Sequence, residues 1–277
     1  MPQRLISYKD TFQNDRGDTF TFGYNNDWLG YFPLNGSEEG VLFVNHEYPD
    51  PFFQHGYKKT DVNPGRHTES PADVQAEQDA VGNSIVHVKR SADGTCAVVS
   101  PSPYNRRIYG DRPNLEFTGP LRGAPGVGTS ARGAVGNCSG VYAPWGTALS
   151  CEENYDGYGV ALGTRDFYYG WPQNGGQPED ADYEFKNNKK YGWVVEHDPY
   201  DPDFTPRKHT ALGRFRHENG LPARSRAQVR PLHGRRRQRP VRLQVRLRHR
   251  LQAGRQQQWA NPRVGHAVRG PLPAGGP

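Results

Sequence analysis

The densest group of potentially reactive side chains lies in residues 137–155, which read NCSGVYAPWGTALSCEENY. Cys138 and Cys151 are two of the three cysteines of the chain, and Glu152 and Glu153 follow the second one directly. This arrangement fits a disulfide, a buried strand with a polar end, or part of a metal site, because a thiolate favours iron, copper or zinc. Cys138 lies among Gly, Asn and Ser, outside the predicted strands, and is the better ligand candidate. Cys151 lies in a predicted strand and is the better core residue.

Four glutamates follow short apolar runs, where strands are predicted to end: Glu47, Glu152, Glu153 and Glu218. Carboxylate oxygens of this kind suit calcium or magnesium. The alternative, that they are ordinary solvated residues at strand ends, stays open from the sequence. Since neighbours in a strand point to opposite faces, Glu152 and Glu153 can share one site only where the strand has ended or bulges. We therefore expect one of the two to bind an ion and the other to orient it.

Arg106 and Arg107 are the candidate catalytic residues. They lie in the sequence NRRI, and a guanidinium group can bind two oxygens of one phosphate at once. The alternative is that they are ordinary surface arginines.

The elements that must position these residues are predicted to be short strands. Residues 1–220 contain many runs rich in Val, Ile, Phe and Leu, bounded by Gly, Pro, Asn and Asp, which is typical of an all-β domain. Asp93 and Gly94 predict the turn of a hairpin, with Cys96 as a small buried residue in its second strand. The runs VLFV, TALS and GRF each close on a carboxylate, which suggests repeated units that present ligands at one edge, as in a β-propeller.

The charge of the chain is divided between two unlike segments. Residues 221–277 contain 14 of the 35 Lys and Arg residues and no acidic residue, so residues 1–220 carry 21 basic and 29 acidic residues, a net charge of −8. The basic segment is compatible with an arm that binds nucleic acid or another polyanion. We favour the alternative that a GC-rich gene is read out of frame after residue 220, because the segment contains Arg without Lys. Under either interpretation, residues 221–277 contain too few apolar residues for a packed core, and we expect them to be disordered.

Six stretches of the chain resemble the PhoX-type alkaline phosphatases, a family that also carries a domain-of-unknown-function label. These stretches run in the family's order and read FGYNNDWLGYFPL, GVLFVNHEY, NRRI, NCSGVYAPWGTALSCEEN, YGWVVEHDPYDP and TALGRFRHE. The resemblance covers residues 22–219 and implies a β-propeller that carries calcium and iron and hydrolyses phosphate monoesters. It implies that Cys138 is an iron ligand and Glu218 another metal ligand, with Glu47, Glu152 and Glu153 as further ligands.

The chain departs from the pattern of that family in length and at its ends. Members are longer, so we expect residues 1–220 to form only the first blades of a propeller, and this chain to be inactive or poorly folded. The family resemblance implies a periplasmic or secreted protein, although no export signal is visible in the chain.

The partners expected are small phosphate esters. The sequence contains no run of apolar residues long enough to span a membrane, and it leaves the oligomeric state open. A propeller that binds a ligand without catalysis is the alternative function. Binding of nucleic acid through the arginine-rich segment is the least favoured function.

Overall fold

A computed structural model describes residues 4–56, 70–158, 171, 188–223 and 244–248. Strands dominate this part of the chain, and its two α-helices are short, which confirms the prediction of an all-β fold. The strands are β1 (Thr11–Gln13), β2 (Thr19–Thr21), β3 (Asn26–Asn35), β4 (Glu39–His46), β5 (Gly82–Arg90), β6 (Cys96–Val98), β7 (Arg106–Ile108), β8 (Asn114–Thr118), β9 (Ser130–Arg132), β10 (Asn137–Tyr142), β11 (Ala148–Glu152), β12 (Val194–His197), β13 (Arg207–His209), β14 (Asn219–Ala223) and β15 (Gln244–Arg248).

Two large sheets organise the described residues. The first has the order β3-β4-β5-β6, with β7 paired to the other end of β5, and all its pairs are antiparallel. The second has the order β10-β11-β12-β13-β8-β9 and is antiparallel except for the β13–β8 pair. Each resembles the blade that a β-propeller repeats.

The main core lies between the two sheets. Val41, Phe43 and Ile85 of the first sheet pack in one cluster with Leu115 and Val195 of the second, and all five are fully buried. Burial of this apolar surface is the principal force that holds the sheets together.

The middle of strand β4, GVLFV, is continuously apolar because both faces of the strand are covered. Val41 and Phe43 face the second sheet. Val44 lies on the opposite face, where it packs with Phe12 and Phe22 of the β1–β2 hairpin region. The continuous run GVLFV therefore marks the centre of the domain.

Two short helices connect β4 to β5. Helix α1 (Pro51–His55) begins after Asp50, whose side chain accepts a hydrogen bond from the Phe53 amide. Helix α2 (Pro71–Ala80) begins after Ser70, which forms a reciprocal capping box with Asp73. In both helices a proline occupies the first turn, where its missing N–H is not needed.

The predicted hairpin is present, but its cysteine is not buried. Strands β5 and β6 pair as expected, with Gly94 at a φ of 84° and the Asp93 carboxylate accepting from the Thr95 amide at 2.9 Å. The prediction that Cys96 is a core residue is wrong: it is exposed, since β6 is the outer strand of its sheet.

The predicted boundary at residue 220 falls inside a strand. β14 spans Asn219–Ala223 and pairs with β15, Gln244–Arg248. The rest of residues 224–277 lies outside the described residues, as do the predictions of disorder and of an out-of-frame origin for it. Among the described helices, none has the length and apolar character needed to cross a membrane.

One histidine makes the stability of this core dependent on pH. His197 ends β12 and is 1% exposed, and neither of its ring nitrogens has a hydrogen-bond partner among the described residues. Burial, together with the nearby charge of Arg106, lowers its pKa to about 3. Its ring is therefore neutral in the folded protein and becomes protonated first in the unfolded chain, where the pKa is about 6.5.

We expect His197→Leu to flatten the acid dependence of stability. The stability contributed by neutral His197 is fully present above about pH 6.5 and is lost as the pH falls below that value, by about 1.4 kcal/mol per pH unit. Urea denaturation between pH 7 and pH 4 measures this slope. Phe43→Leu is the control, because Phe43 packs on the His197 ring with centroids 5.0 Å apart and does not titrate. That control should lower stability equally at every pH, and a parent-like slope in His197→Leu would contradict the prediction.

Candidate metal centre

Three potential ligand atoms meet where the two sheets adjoin. One ligand atom each from Asp27, Glu47 and Cys138 lies within 4.8 Å of the other two. Asp27 is exposed, and the other two residues are partly buried. No other such group of three is present in the part of the chain that the structure describes.

Irregularities of the strands place these three residues. The register of β3 shifts between Asn26 and Leu29, where Asp27 lies, and the register of β10 shifts between Asn137 and Gly140, where Cys138 lies. A β-bulge turns a side chain away from the regular alternation of a strand. Glu47 directly follows β4, and its amide donates to the Asn25 carbonyl at 3.0 Å. Two bulges and one strand end thus direct three side chains to one point.

The structure settles the question of the two cysteines. Cys138 and Cys151 are both free thiols, so the disulfide is absent. Cys151 is fully buried and packs with Leu149 and Val194, as expected of a core residue. Cys138 belongs to β10 and not to a loop, which corrects the sequence-based expectation. The bulge turns its side chain out of the regular alternation of the strand.

Glu153 and Glu218 extend the cluster of acids. The Asn154 amide group donates to Glu153 at 2.8 Å and to Glu47 at 3.3 Å, so one side chain connects two predicted ligands. The Cys138 thiol lies 3.9 Å from the backbone oxygen of Glu218. The run GRF before Glu218 is not a strand, contrary to the prediction, but Glu218 still reaches this region.

The electrostatics of the cluster disfavour its negative charges. Burial, together with the nearby Asp27 and Glu153, raises the pKa of Glu47 to about 7. Burial and the neighbouring Glu47 and Asp27 also raise the pKa of the Cys138 thiol. The pKa of Glu153 is raised by burial and by Glu218. Such mutual repulsion between acids is relieved when a cation lies among them.

The donor set fits a metal centre of mixed character. A thiolate is a soft ligand that suits iron, whereas carboxylate oxygens suit calcium. Cys138 supplies the first kind, and Asp27 and Glu47 supply the second.

The structure does not place Glu152 among these candidate ligands, which corrects the prediction for that residue. Its carboxylate is fully buried and accepts hydrogen bonds from the Val135, Gly192 and Trp193 amides at 3.2, 2.9 and 3.0 Å. It also pairs with the Lys208 ammonium at 2.8 Å. These four donors occupy the carboxylate. Of the two adjacent glutamates, Glu153 alone therefore stays a predicted ligand.

Arg106 and Arg107 are not directed at the cluster either, which corrects their predicted role as phosphate ligands. The Arg107 guanidinium is buried and donates to the carbonyl groups of Thr21, Ile108, Asp79 and Val81. Arg106 donates to the Tyr104 and Asp198 carbonyl groups. Burial lowers the pKa of each to about 10. Both side chains are committed to backbone groups of the fold.

Two residues of the site were missed from the sequence. Asp27 lies in FGYNNDWLGYFPL, one of the six stretches that resemble the family, and the bulge in β3 brings it to the cluster. Arg216 is exposed, and its positive charge opposes the rise in the pKa of Glu153 that burial and Glu218 cause. The pattern of a regular strand could not indicate Asp27, although the polar residues in the sequence YNNDW are an available signal of the irregularity.

Close contact between β10 and β3 explains why the sequence NCSG ends in a glycine, Gly140. A Cβ atom at this position would overlap the indole ring of Trp28, which lies on β3. Only glycine allows β10 to approach β3 so closely, and this approach brings Cys138 near Asp27.

Comparisons with known proteins agree on one family. The family model of the alkaline phosphatase PhoX matches residues 3–227. The chain is also similar to the solved structure of Pseudomonas fluorescens PhoX in complex with vanadate, a transition state analogue, at 29% identity and a TM-score of 0.64. That match covers 80% of this chain and 43% of the other, so the chain spans less than half of that protein's length. No curated protein matches the chain.

The two adjacent glutamates provide a matched test of the assignment of Glu152 to the scaffold and of Glu153 to the metal site. We expect Glu152→Gln to lower the free energy of unfolding by about 3 kcal/mol, because Lys208 then lacks a charged partner in the interior. Glu153→Gln should change stability by less than about 0.5 kcal/mol and should weaken metal binding by at least about tenfold. Urea denaturation and titration with Co²⁺ measure the two effects. Weakened Co²⁺ binding in folded Glu152→Gln, with full binding in Glu153→Gln, would reverse the assignment.

Proposed function

The chain belongs to the PhoX alkaline phosphatase family, and we propose that it provides part of the metal centre of a phosphatase that hydrolyses phosphate monoesters. The observation that carries this proposal is the convergence of Asp27, Glu47 and Cys138 within 4.8 Å. The family match over residues 3–227 supports the reaction class. The vanadate complex of the P. fluorescens protein supports the same class, since vanadate is there a transition state analogue.

Iron and calcium are the proposed metals. Cys138 would hold iron, and the carboxylates of Asp27, Glu47, Glu153 and Glu218 would complete the sites, because hard oxygen ligands suit calcium. Bound ions would supply positive charge to the phosphate oxygens as negative charge develops on them.

The chain's own residues prepare the site for a dianionic substrate. Asn154 holds Glu47 and Glu153 in a fixed relation through two hydrogen bonds. Arg216 is exposed and interacts electrostatically with Glu153, and its guanidinium is the group we assign to the phosphate oxygens in place of Arg106 and Arg107. A planar guanidinium can orient a phosphate group by two parallel hydrogen bonds.

The proposed partners are small phosphate esters, and the proposed location is periplasmic or secreted. Both proposals rest on family membership. The sequence-based expectation that this chain is inactive is untested and competes with this proposal, as does the alternative of a propeller that binds a ligand without catalysis. A single assay decides between them.

We expect the full chain, supplied with iron and calcium, to hydrolyse p-nitrophenyl phosphate, and Cys138→Ala to lower kcat/KM by at least about a hundredfold. The reason is that the variant loses the one soft ligand of the cluster. Cys151→Ala is the matched control, since that thiol is buried in the core. It should lower stability by about 1–2 kcal/mol and leave iron content unchanged.

Absence of hydrolysis by a folded chain that has bound both metals would overturn the phosphatase proposal for this chain and favour the binding module. Equal iron content in Cys138→Ala and in the parent protein would overturn the assignment of the thiolate as an iron ligand.

A further inference from the structure

A buried amide side chain lies directly beneath the proposed thiolate ligand. We propose that Asn45 is a positioning residue, which together with Ser150 and Asn83 fixes the bulge of β10 and thereby the direction of the Cys138 thiol. This inference rests on the proposed function, since it concerns the same site.

The donor side of Asn45 holds the two peptide groups that directly follow the Cα atom of the ligand, Cys138. Its amide nitrogen donates to the carbonyl oxygen of Cys138 at 2.7 Å and to that of Ser139 at 3.0 Å. Both distances are in the normal range for strong N–H···O bonds. Two consecutive carbonyl groups bound to one amide cannot rotate independently, so the backbone on which Cys138 is carried is fixed.

The sheet itself leaves these carbonyl groups to Asn45. Strands β10 and β11 are in register at Asn137 and Glu152 and again at Gly140 and Ser150, and Cys138 and Ser139 lie in the irregular step between. Backbone carbonyl groups that leave the regular ladder must find another donor in the interior. Asn45 is that donor, and it is two residues away from the candidate ligand Glu47.

The acceptor side of Asn45 is held as firmly. Its Oδ1 atom accepts from the side-chain amide of Asn83 at 2.8 Å and from the Ser150 hydroxyl at 2.9 Å. The Ser150 hydroxyl in turn accepts from the side-chain amide of Asn137 at 2.9 Å. This arrangement fixes which end of the Asn45 amide faces Cys138, because two donors surround its oxygen.

Burial makes the network rigid. Asn45, Asn83, Asn137 and Ser150 are each 0% exposed, so water cannot replace a lost partner. A polar group left unpaired in such surroundings costs about 1–3 kcal/mol, and therefore alternative arrangements of the bulge are disfavoured. The network joins β4 and β5 of the first sheet to β10 and β11 of the second, and each of these two sheets contributes ligands to the cluster.

The test compares two buried asparagines in the full chain. Asn45→Leu removes both hydrogen bonds to the bulge at nearly constant volume and charge. Asn105→Leu is the matched control. Asn105 is 1% exposed, donates to the Gln13 and Val99 carbonyl groups at 2.8 Å each, and accepts from the His87 amide. Ser150→Ala is a milder variant that loosens Asn45 and serves if Asn45→Leu does not fold.

The probe is Co²⁺, followed by its thiolate-to-metal charge-transfer absorption, with unfolding in urea measured in parallel. We expect Asn45→Leu to weaken Co²⁺ binding by about 10–100-fold and to reduce the charge-transfer band at saturation, and Ser150→Ala to act in the same direction to a smaller extent. Asn105→Leu should lose similar stability while it keeps Co²⁺ affinity within about twofold of the parent, since its partners are remote from the network.

Three results would overturn the inference: parent-like Co²⁺ affinity and band intensity in Asn45→Leu or in Ser150→Ala, equal weakening in Asn105→Leu, or no thiolate band in the parent protein. The last result would also overturn the proposed metal centre. The protein could also show the thiolate band and the expected differences between variants but fail to hydrolyse p-nitrophenyl phosphate. That result would overturn the phosphatase function alone and leave the positioning role in place.

Discussion

The Glu152 carboxylate is the interaction on which the site depends most. It accepts from three backbone amides and from Lys208, whose ammonium group also donates to the Lys190 carbonyl and lies 4.2 Å from the centre of the Tyr191 ring. A buried charge is tolerated only with such complete pairing, and removal of one partner leaves the other charge uncompensated. Because its partners lie before β10, before β12 and in β13, one side chain joins three segments of the second sheet, and β10, which carries Cys138, is one of them.

The backbone of Glu152 also links neighbouring segments of the chain. Its amide donates to the Trp193 carbonyl at 3.1 Å, and its carbonyl accepts from the His217 amide at 3.2 Å. The next residue, Glu153, donates its amide to the Gly136 carbonyl at 2.8 Å. Cys138 and Glu218 each follow within two residues of these anchored groups, so the ion pair and its neighbours determine where the ligands lie. The adjacent glutamates thus divide the work: Glu152 stabilises the scaffold, and Glu153 faces the cluster.

The sequence was sufficient for the parts of this structure that follow regular patterns. Alternating and continuous apolar runs predicted the strands, Asp93-Gly94 predicted a hairpin turn, and the position of Cys151 inside a strand predicted a core residue. Two of the errors occur where regular alternation fails. A strand pattern carries no information about a bulge, so Asp27 was missed and Cys138 was placed in a loop. The guanidinium of Arg107 was predicted to face a phosphate because the sequence does not show that four carbonyl groups would surround it.

The same irregularities explain why the site needs so much buried polar structure. Ligands on bulges leave backbone groups without ladder partners, and neutral side chains such as Asn45 and Ser150 satisfy them without adding charge. The acids gathered at the surface of this network repel one another, and burial and this repulsion together raise the pKa of Glu47 to about 7. A flexible chain would relieve that repulsion by moving the acids apart. Here the hydrogen bonds of Asn45 and the Glu152–Lys208 ion pair oppose the movement, and the unfavourable charge stays in place as a preformed attraction for cations.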